Sequence, residues 1–127
     1  MPKFNQRKNM NVKLIYCVRT DLKMGKGKIA AQVGHATLGI YKKNLREKRD
    51  DILEKWANSG EAKIVVKVKT EREMLQLQRK AEEMKMPTHM VCDAGHTQVA
   101  AGSNTVLVIG PEYENRLNMI TGHLKLM

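Results

Sequence analysis

A polar loop that follows a short apolar segment holds the side chains best suited to chemistry. Residues 90–92 are apolar, and Asp93 opens a loop that is rich in hydroxyl groups. The carboxylate of Asp93 can orient a water molecule or a hydroxyl as a general base, and Thr97 and Thr105 can supply that hydroxyl or bind a developing charge. An aspartate at the end of a strand also caps turns, so a purely structural role is the alternative.

A second polar loop, residues 19–28, contains two glycines and several lysines. Glycines let a ligand approach the backbone, exposed amides at the start of a helix attract an anion, and Lys23, Lys26 and Lys28 add positive charge. The loop therefore predicts a phosphate or oxyanion site, with a solvated basic turn as the alternative. Residues 25–30 also fit part of a dinucleotide-binding fingerprint, but a second helix stands where that fingerprint needs a strand.

The histidines do not have the spacing of a local metal site. They lie at His35, His89, His96 and His123, and no two of them form a metal-binding pair in the sequence. We therefore expect a reaction that uses neither a metal nor a cofactor. His35 lies in the first predicted helix and is a possible acid or base, with a packed structural histidine as the alternative.

The charge of the chain is concentrated near its beginning. The 127 residues include 23 Lys and Arg against 13 Asp and Glu, a net charge of +10. Residues 1–49 hold 13 of the basic residues and only two acids, so this part alone has a net charge of +11. Such a field favours a polyanionic partner, either a nucleic acid or an anionic membrane, with simple solubility as the alternative.

The patterns of apolar residues predict an α/β fold. Helices cover both faces of a mixed sheet of about four strands, which gives three layers. Residues 12–18 alternate too little for an edge strand, so we place them in the middle of the sheet. The predicted strands are 12–18, 62–69, 88–93 and 105–109, and the predicted helices are 29 onward, 46–58, 71–85 and one that begins at Gly110-Pro111.

Each predicted helix has an apolar face that should be buried. The first repeats apolar residues at helical spacing, and the third begins with a Thr-x-x-Glu capping box at Thr70. The expected core positions are Ile29, Val33, Ala36 and Ile40, then Ile52, Leu53, Trp56 and Ala57, then Met74, Leu77, Ala81 and Met84.

The sequence also predicts a compartment. Cys17 and Cys92 lie inside predicted strands without paired-cysteine spacing, so we expect buried thiols in a reducing environment. The longest apolar stretch is about five residues, far below the ~20 that a membrane span needs. No secretory signal precedes residue 12. These features predict a cytoplasmic protein that does not associate with a membrane.

Several blocks, taken in order, resemble the archaeal and eukaryotic type of peptidyl-tRNA hydrolase. They are Arg19–Gln32 with the following His35-Ala36, Asp93–Gln98, Thr105–Pro111 and Thr121–Leu126. The resemblance implies cleavage of the ester between a peptide, or an N-blocked amino acid, and tRNA, which recycles free tRNA. It also implies a homodimer.

The resemblance implies active-site roles for Lys28, Asp93, Thr97 and Thr105, and leaves open whether water or a threonine hydroxyl attacks. His96 stands where many relatives have arginine. Residues 1–11 are predicted to be a basic extension and residues 12–127 a single domain. A non-catalytic module that binds RNA or protein with the same basic face is the alternative function. The predicted tRNA- or phosphate-binding set is Lys23, Lys26, Gln32, Lys42, Lys43, Arg46, Lys48, Arg49, His96 and Gln98.

Overall fold

The structure, a computed structural model, describes residues 11–95 and 102–127. Most of the predicted basic extension lies outside these ranges, and so do His96, Thr97 and Gln98. The elements, in chain order, are β1 (Val12–Arg19), α1 (Lys26–Arg46), α2 (Asp50–Asn58), β2 (Ala62–Val68), α3 (Glu71–Glu83), β3 (Thr88–Cys92), β4 (Asn104–Tyr113) and α4 (Glu114–Thr121).

The four strands form one mixed sheet in the order β2-β1-β4-β3. Strand β1 pairs in parallel with β2, and β4 runs antiparallel to both β1 and β3. The parallel pair needs a long crossover, which α1 and α2 provide. Strand β1 lies between β2 and β4, and its residues 14–18 are all buried, so its predicted central position is confirmed. The last residues of β1, β2 and β3 and the first residues of β4 therefore lie at the same end of the sheet.

Two hydrophobic clusters, one on each face of the sheet, confirm the predicted three layers. Alternate residues of β1 point to opposite faces. Tyr16 packs with the apolar sides of α1 and α2, whereas Cys17 packs with those of α3 and α4. Burial raises the pKa of the Cys17 thiol to about 12, which keeps it protonated and unreactive.

Most of the predicted helix faces are confirmed. In α1, Ala36 and Ile40 are fully buried, with Ile29 and Val33 packed beside them. The hydroxyl of Thr70 accepts a hydrogen bond from the amide of Glu73 at 3.1 Å and caps α3 as predicted. The prediction for Ala57 is wrong, because this residue is exposed on the outer side of α2.

The predicted boundary between β4 and α4 is wrong. Gly110-Pro111 continues the strand, and the last helix begins only at Glu114. Between the pairs Ile15↔Ile109 and Lys13↔Glu112, two residues of β4 face one residue of β1. This bulge accommodates a proline, which has no N–H to donate, and Gly110 supplies the positive φ of 115° that the bend requires.

Two other predictions also fail locally. The second helix begins at Asp50 rather than at residue 46, since α1 runs to Arg46 and Lys48 takes a positive φ of 56° that separates the helices. Cys92 is exposed rather than buried. It is the last residue of an edge strand, directly after an irregularity in the pairing of β3 with β4, and its thiol donates a hydrogen bond to Oδ1 of Asn104 at 3.0 Å.

A close contact in α1 makes a stability prediction. A Cβ on Gly39 would lie 2.3 Å from Nε2 of His89, whereas one on Gly34 would meet nothing within 4 Å. Alanine favours a helix interior over glycine by ~1 kcal/mol, and overpacking costs ~1–3 kcal/mol. We expect Gly34→Ala to raise the free energy of unfolding by up to ~1 kcal/mol. Gly39→Ala should fall ~1–3 kcal/mol below it in denaturant titrations.

The control is the same pair of substitutions in a His89→Ala background. There the two alanine variants should have similar stability, because the obstructing ring is gone. Equal stability of the two variants with His89 present would contradict the contact.

Candidate active site

Lys28, Asp93 and Thr105 lie together at the end of the sheet where β1 and β3 finish and β4 begins. Lys28 lies in the first turn of α1, Asp93 directly follows β3, and Thr105 is the second residue of β4. The ammonium group of Lys28 donates to Oδ1 of Asp93. Residues 65 positions apart in the chain thus form an ion pair, which places a cation beside a carboxylate at this end of the sheet.

The carboxylate of Asp93 is almost completely buried. Its side chain is 1% exposed, whereas that of Lys28 is 20% exposed. Oδ2 of Asp93 also accepts a hydrogen bond from the amide of Gly95 at 3.0 Å, so the turn-capping role that the sequence left open is present beside the ion pair. The backbone on both sides is bonded to residues 102 and 103, at 3.0 and 2.8 Å. These contacts fix the carboxylate in position.

Thr105 is fully buried, and its hydroxyl is bonded inside the protein. It accepts a hydrogen bond from Nε2 of Gln32 at 2.7 Å and donates one to the carbonyl oxygen of Val91 at 3.2 Å. Gln32 is itself only 3% exposed. The structure thus places Gln32 beneath the site, beside Thr105, and not on the surface where a phosphate ligand was predicted.

Arg19, to which the sequence assigns no role, connects several segments at the same end of the sheet. Its guanidinium donates to both carboxylate oxygens of Asp21, at 3.0 and 2.7 Å, and to the carbonyl oxygen of Asn104 at 3.1 Å. The same group lies 3.4 Å from Glu71 at the start of α3. Arg19 holds the pKa of Asp21 below its usual value. The sequence signal for this role is an arginine directly after the apolar residues of the predicted strand 12–18.

The predicted basic residues separate into two groups. Lys23, Lys26, Lys42, Arg46 and Lys48 are exposed. Lys23 and Lys26 lie close to Lys28 in the chain, around the start of α1, where Gly25 occupies the N-cap position. Because the helix has neither a capping side chain nor an acid in its first turn, its first backbone amides retain their attraction for anions.

The other basic residues predicted to bind phosphate are engaged in the fold. The ammonium of Lys43 donates to the carbonyl oxygen of Thr88 at 2.7 Å. Arg49 is half-buried, donates to Oδ1 of Asn44 at 2.8 Å and lies 3.9 Å from Glu112. Burial lowers the pKa of Arg49. These side chains contribute to the connection between α1, α2 and β4 rather than to an open surface.

His35 is exposed and is not brought to Asp93 or Thr105. It lies seven residues after Lys28 on α1, about 10 Å along the helix axis. Seven residues are two helical turns, so His35, Lys42 and Arg46 continue the side of α1 on which Lys28 lies. We call these four residues the basic stripe.

Within residues 11–95 and 102–127, no cluster of three His, Cys, Asp or Glu side chains could hold a metal ion. In the same part of the chain, no helix is long and apolar enough to cross a membrane.

Comparison with known proteins identifies the family. The profile of the family Peptidyl-tRNA hydrolase PTH2 matches residues 12–127. The chain belongs to the peptidyl-tRNA hydrolase PTH2 family. This confirms the resemblance inferred from the sequence blocks.

Named members of the peptidyl-tRNA hydrolases align over nearly the whole chain. A peptidyl-tRNA hydrolase of Thermoplasma volcanium is 45% identical over 118 residues, which are 93% of this chain and 100% of that protein. The peptidyl-tRNA hydrolase of Methanothermobacter thermautotrophicus is 43% identical over 116 residues, 91% of this chain and 100% of its own length. The probable peptidyl-tRNA hydrolase 2 of Drosophila melanogaster is 44% identical over 119 residues, 94% of this chain but 63% of the fly protein. The chain therefore spans the full archaeal relatives and somewhat less than two thirds of the fly relative.

Proposed function

We propose that the chain hydrolyses the ester bond between a peptide, or an N-blocked amino acid, and tRNA, and so releases free tRNA. The observation that carries this proposal is the Lys28–Asp93 pair at the edge of the sheet, in a chain that aligns with archaeal peptidyl-tRNA hydrolases over their full length. Ester hydrolysis needs a base for the attacking water and a positive group for the oxyanion. The pair supplies both.

In the proposed reaction, Asp93 accepts a proton from a water molecule as the water oxygen bonds to the ester carbonyl carbon. The carbonyl oxygen becomes an oxyanion, which Lys28 stabilises. An ammonium has three N–H donors, so Lys28 can hold Asp93 with one and the oxyanion with another. The carbon–oxygen bond to the ribose then breaks, and the proton on Asp93 passes to the ribose oxygen. The products are a peptide with a free carboxyl group and tRNA with a free terminal hydroxyl.

Water is the better nucleophile in this arrangement than Thr105. The hydroxyl of Thr105 is fully buried and already donates its proton to Val91. We therefore propose that Thr105 does not attack the ester. Its hydrogen bonds to Gln32 and Val91 instead position the residues beneath the Lys28–Asp93 pair. The predicted role of Thr97 stays a prediction, since this residue lies outside the described ranges.

The first test of the function is turnover of an N-acetylated aminoacyl-tRNA. Asp93→Asn keeps the shape of the side chain but removes the base, and we expect kcat to fall about 10²–10⁴-fold. Lys28→Gln should also lower kcat, because the oxyanion loses its cation. Release of free tRNA is measured against the spontaneous rate.

The matched control is Asp51→Asn, which removes an exposed carboxylate of α2 and should retain the wild-type rate. Wild-type turnover in Asp93→Asn would refute the role of this carboxylate. Tight tRNA binding by the wild type without turnover would instead favour the non-catalytic RNA-binding module.

We propose that the basic stripe binds the phosphate backbone of the tRNA. Lys42 and Arg46 lie about 21 and 27 Å from Lys28 along α1, at 1.5 Å per residue. The double variant Lys42→Glu/Arg46→Glu should raise KM about tenfold or more with little change in kcat, because it removes phosphate contacts far from the ester. Steady-state kinetics at several salt concentrations make the measurement.

The control carries the same charge change on another part of the molecule. Arg79→Glu/Lys80→Glu reverses two exposed charges at the end of α3. An equal rise in KM in both double variants would show that net charge, and not the basic stripe, determines tRNA affinity.

We propose that the protein acts as a homodimer. Three large apolar side chains are exposed on the outer side of α1, and pairing of two copies through this side would remove them from water. Sedimentation equilibrium should give twice the chain mass of 14.5 kDa, and a monomer mass at the protein concentration of the assay would refute the dimer. These exposed residues are Leu38, Tyr41 and Leu45.

We also propose a cytoplasmic location. The support is the match over full length to archaeal relatives whose names specify no organelle. Relatives from human and mouse are named mitochondrial, so cell fractionation that places the protein in an organelle would contradict the proposal.

A further inference from the structure

The last block of the family resemblance, Thr121–Leu126, received no role in the predicted site. In the structure it passes along the outer edge of β2. The amide of Lys67 donates to the carbonyl oxygen of Lys125 at 2.8 Å, and the amide of Met127 donates to that of Val65 at 2.9 Å. The segment thus covers an edge strand that would otherwise expose unpaired backbone groups.

A cavity of about 330 Å³ lies between this segment, the end of β2 and the loop after β1. It is therefore formed by parts of the chain about 100 residues apart. Its polar lining consists of Thr20, Lys67, Lys69, Glu73, His123 and Lys125.

The charge of the cavity is unbalanced. Three lysines and one histidine line the cavity together with a single carboxylate, that of Glu73, which already accepts a hydrogen bond from the amide of Lys69 at 3.3 Å as part of the cap of α3. Among the residues that the structure describes, none of the three ammonium groups forms an ion pair. A concave site lined by cations without an internal counterion attracts an external anion.

The cavity and the Lys28–Asp93 pair lie at the same end of the sheet, where β1, β2 and β3 finish. Strands β2 and β3 are separated by β1 and β4, three spacings of ~4.8 Å, so the ends of the strands that carry the two sites are ~14 Å apart. A stacked strand advances ~3.4 Å per nucleotide, and the separation corresponds to about four nucleotides. A phosphate in the cavity and an ester at Asp93 can therefore belong to the same end of one RNA.

We infer that this cavity binds a phosphate group of the RNA near the end that carries the scissile ester. The inference rests on the proposed function for the identity of the RNA. The phosphate is either the 5′-terminal phosphate of the acceptor stem or an internal phosphodiester, and both present the same anionic oxygens to Lys67, Lys69 and Lys125.

The test measures binding and turnover separately. A fluorescent RNA hairpin with the acceptor-stem sequence and an uncharged 3′ end is prepared with a 5′-phosphate and with a 5′-hydroxyl. Its affinity for the wild type, for Lys67→Gln/Lys69→Gln and for Lys125→Gln is measured by anisotropy over a range of salt. The matched control is Arg79→Gln/Lys80→Gln. Hydrolysis of N-acetylated aminoacyl-tRNA is followed in parallel.

We expect Lys67→Gln/Lys69→Gln to weaken binding about tenfold at low salt and to reduce the slope of log affinity against log salt by about one to two. KM should rise with kcat unchanged, and Lys67→Arg/Lys69→Arg should restore binding. A wild-type preference for the 5′-phosphate that disappears in the double variant identifies the terminal phosphate. Equal losses on both hairpins identify a phosphodiester.

Binding and a salt slope equal to those of the wild type would overturn the inference, and so would an equal loss in Arg79→Gln/Lys80→Gln. The proposed function fails separately. If the wild type releases no tRNA but hairpin binding still depends on Lys67 and Lys69, the cavity is a phosphate site in a protein with another activity.

Discussion

The burial of the Asp93 carboxylate is the constraint on which the rest of the site depends. Removing a carboxylate from water costs several kcal/mol, and a cation with additional hydrogen bonds has to compensate. Lys28 and the amide of Gly95 provide this compensation. Because Lys28 belongs to the start of α1 and Asp93 to the end of β3, the pair forms only when α1 packs over that side of the sheet. The fold and the reactive pair are therefore established together.

Helix α1 has a different environment on each side, and this explains why the charge of residues 1–49 does not interfere with folding. Ile40 on its inner side is fully buried, and Gln32 reaches under the site to the hydroxyl of Thr105. Outside, Lys42 and Arg46 remain in water, where a charge is inexpensive. A single helix thus contributes to the core, the Lys28–Asp93 pair and the basic stripe.

Much of the fold could be predicted from local patterns, because helix periodicity and the continuous apolar character of β1 reflect burial directly. The ion pair could be predicted only in part. Lys28 and Asp93 were named separately, but nothing local shows that they touch across 65 residues. The path of Gly110-Pro111 through β4 was mispredicted because a bulge opposite β1 accommodates the proline. The buried position of Gln32 depends on Thr105, a contact across 73 positions. Contacts of this kind are set by packing, which the sequence pattern does not display.

The arrangement of charge suits a substrate with one reacting bond and a long polyanionic part. In the proposed reaction, transition-state stabilisation at the ester is confined to a few groups around Asp93, which leaves little surface there with which to hold a tRNA. Contacts to remote phosphates provide affinity without touching the ester, and they position the reacting bond within reach of the fixed carboxylate. The basic stripe and the lysines at the end of β2 lie on different sides of that carboxylate. Attachment of the RNA at both of these proposed places would restrict its rotation about the site, which a single basic patch of equal charge would allow.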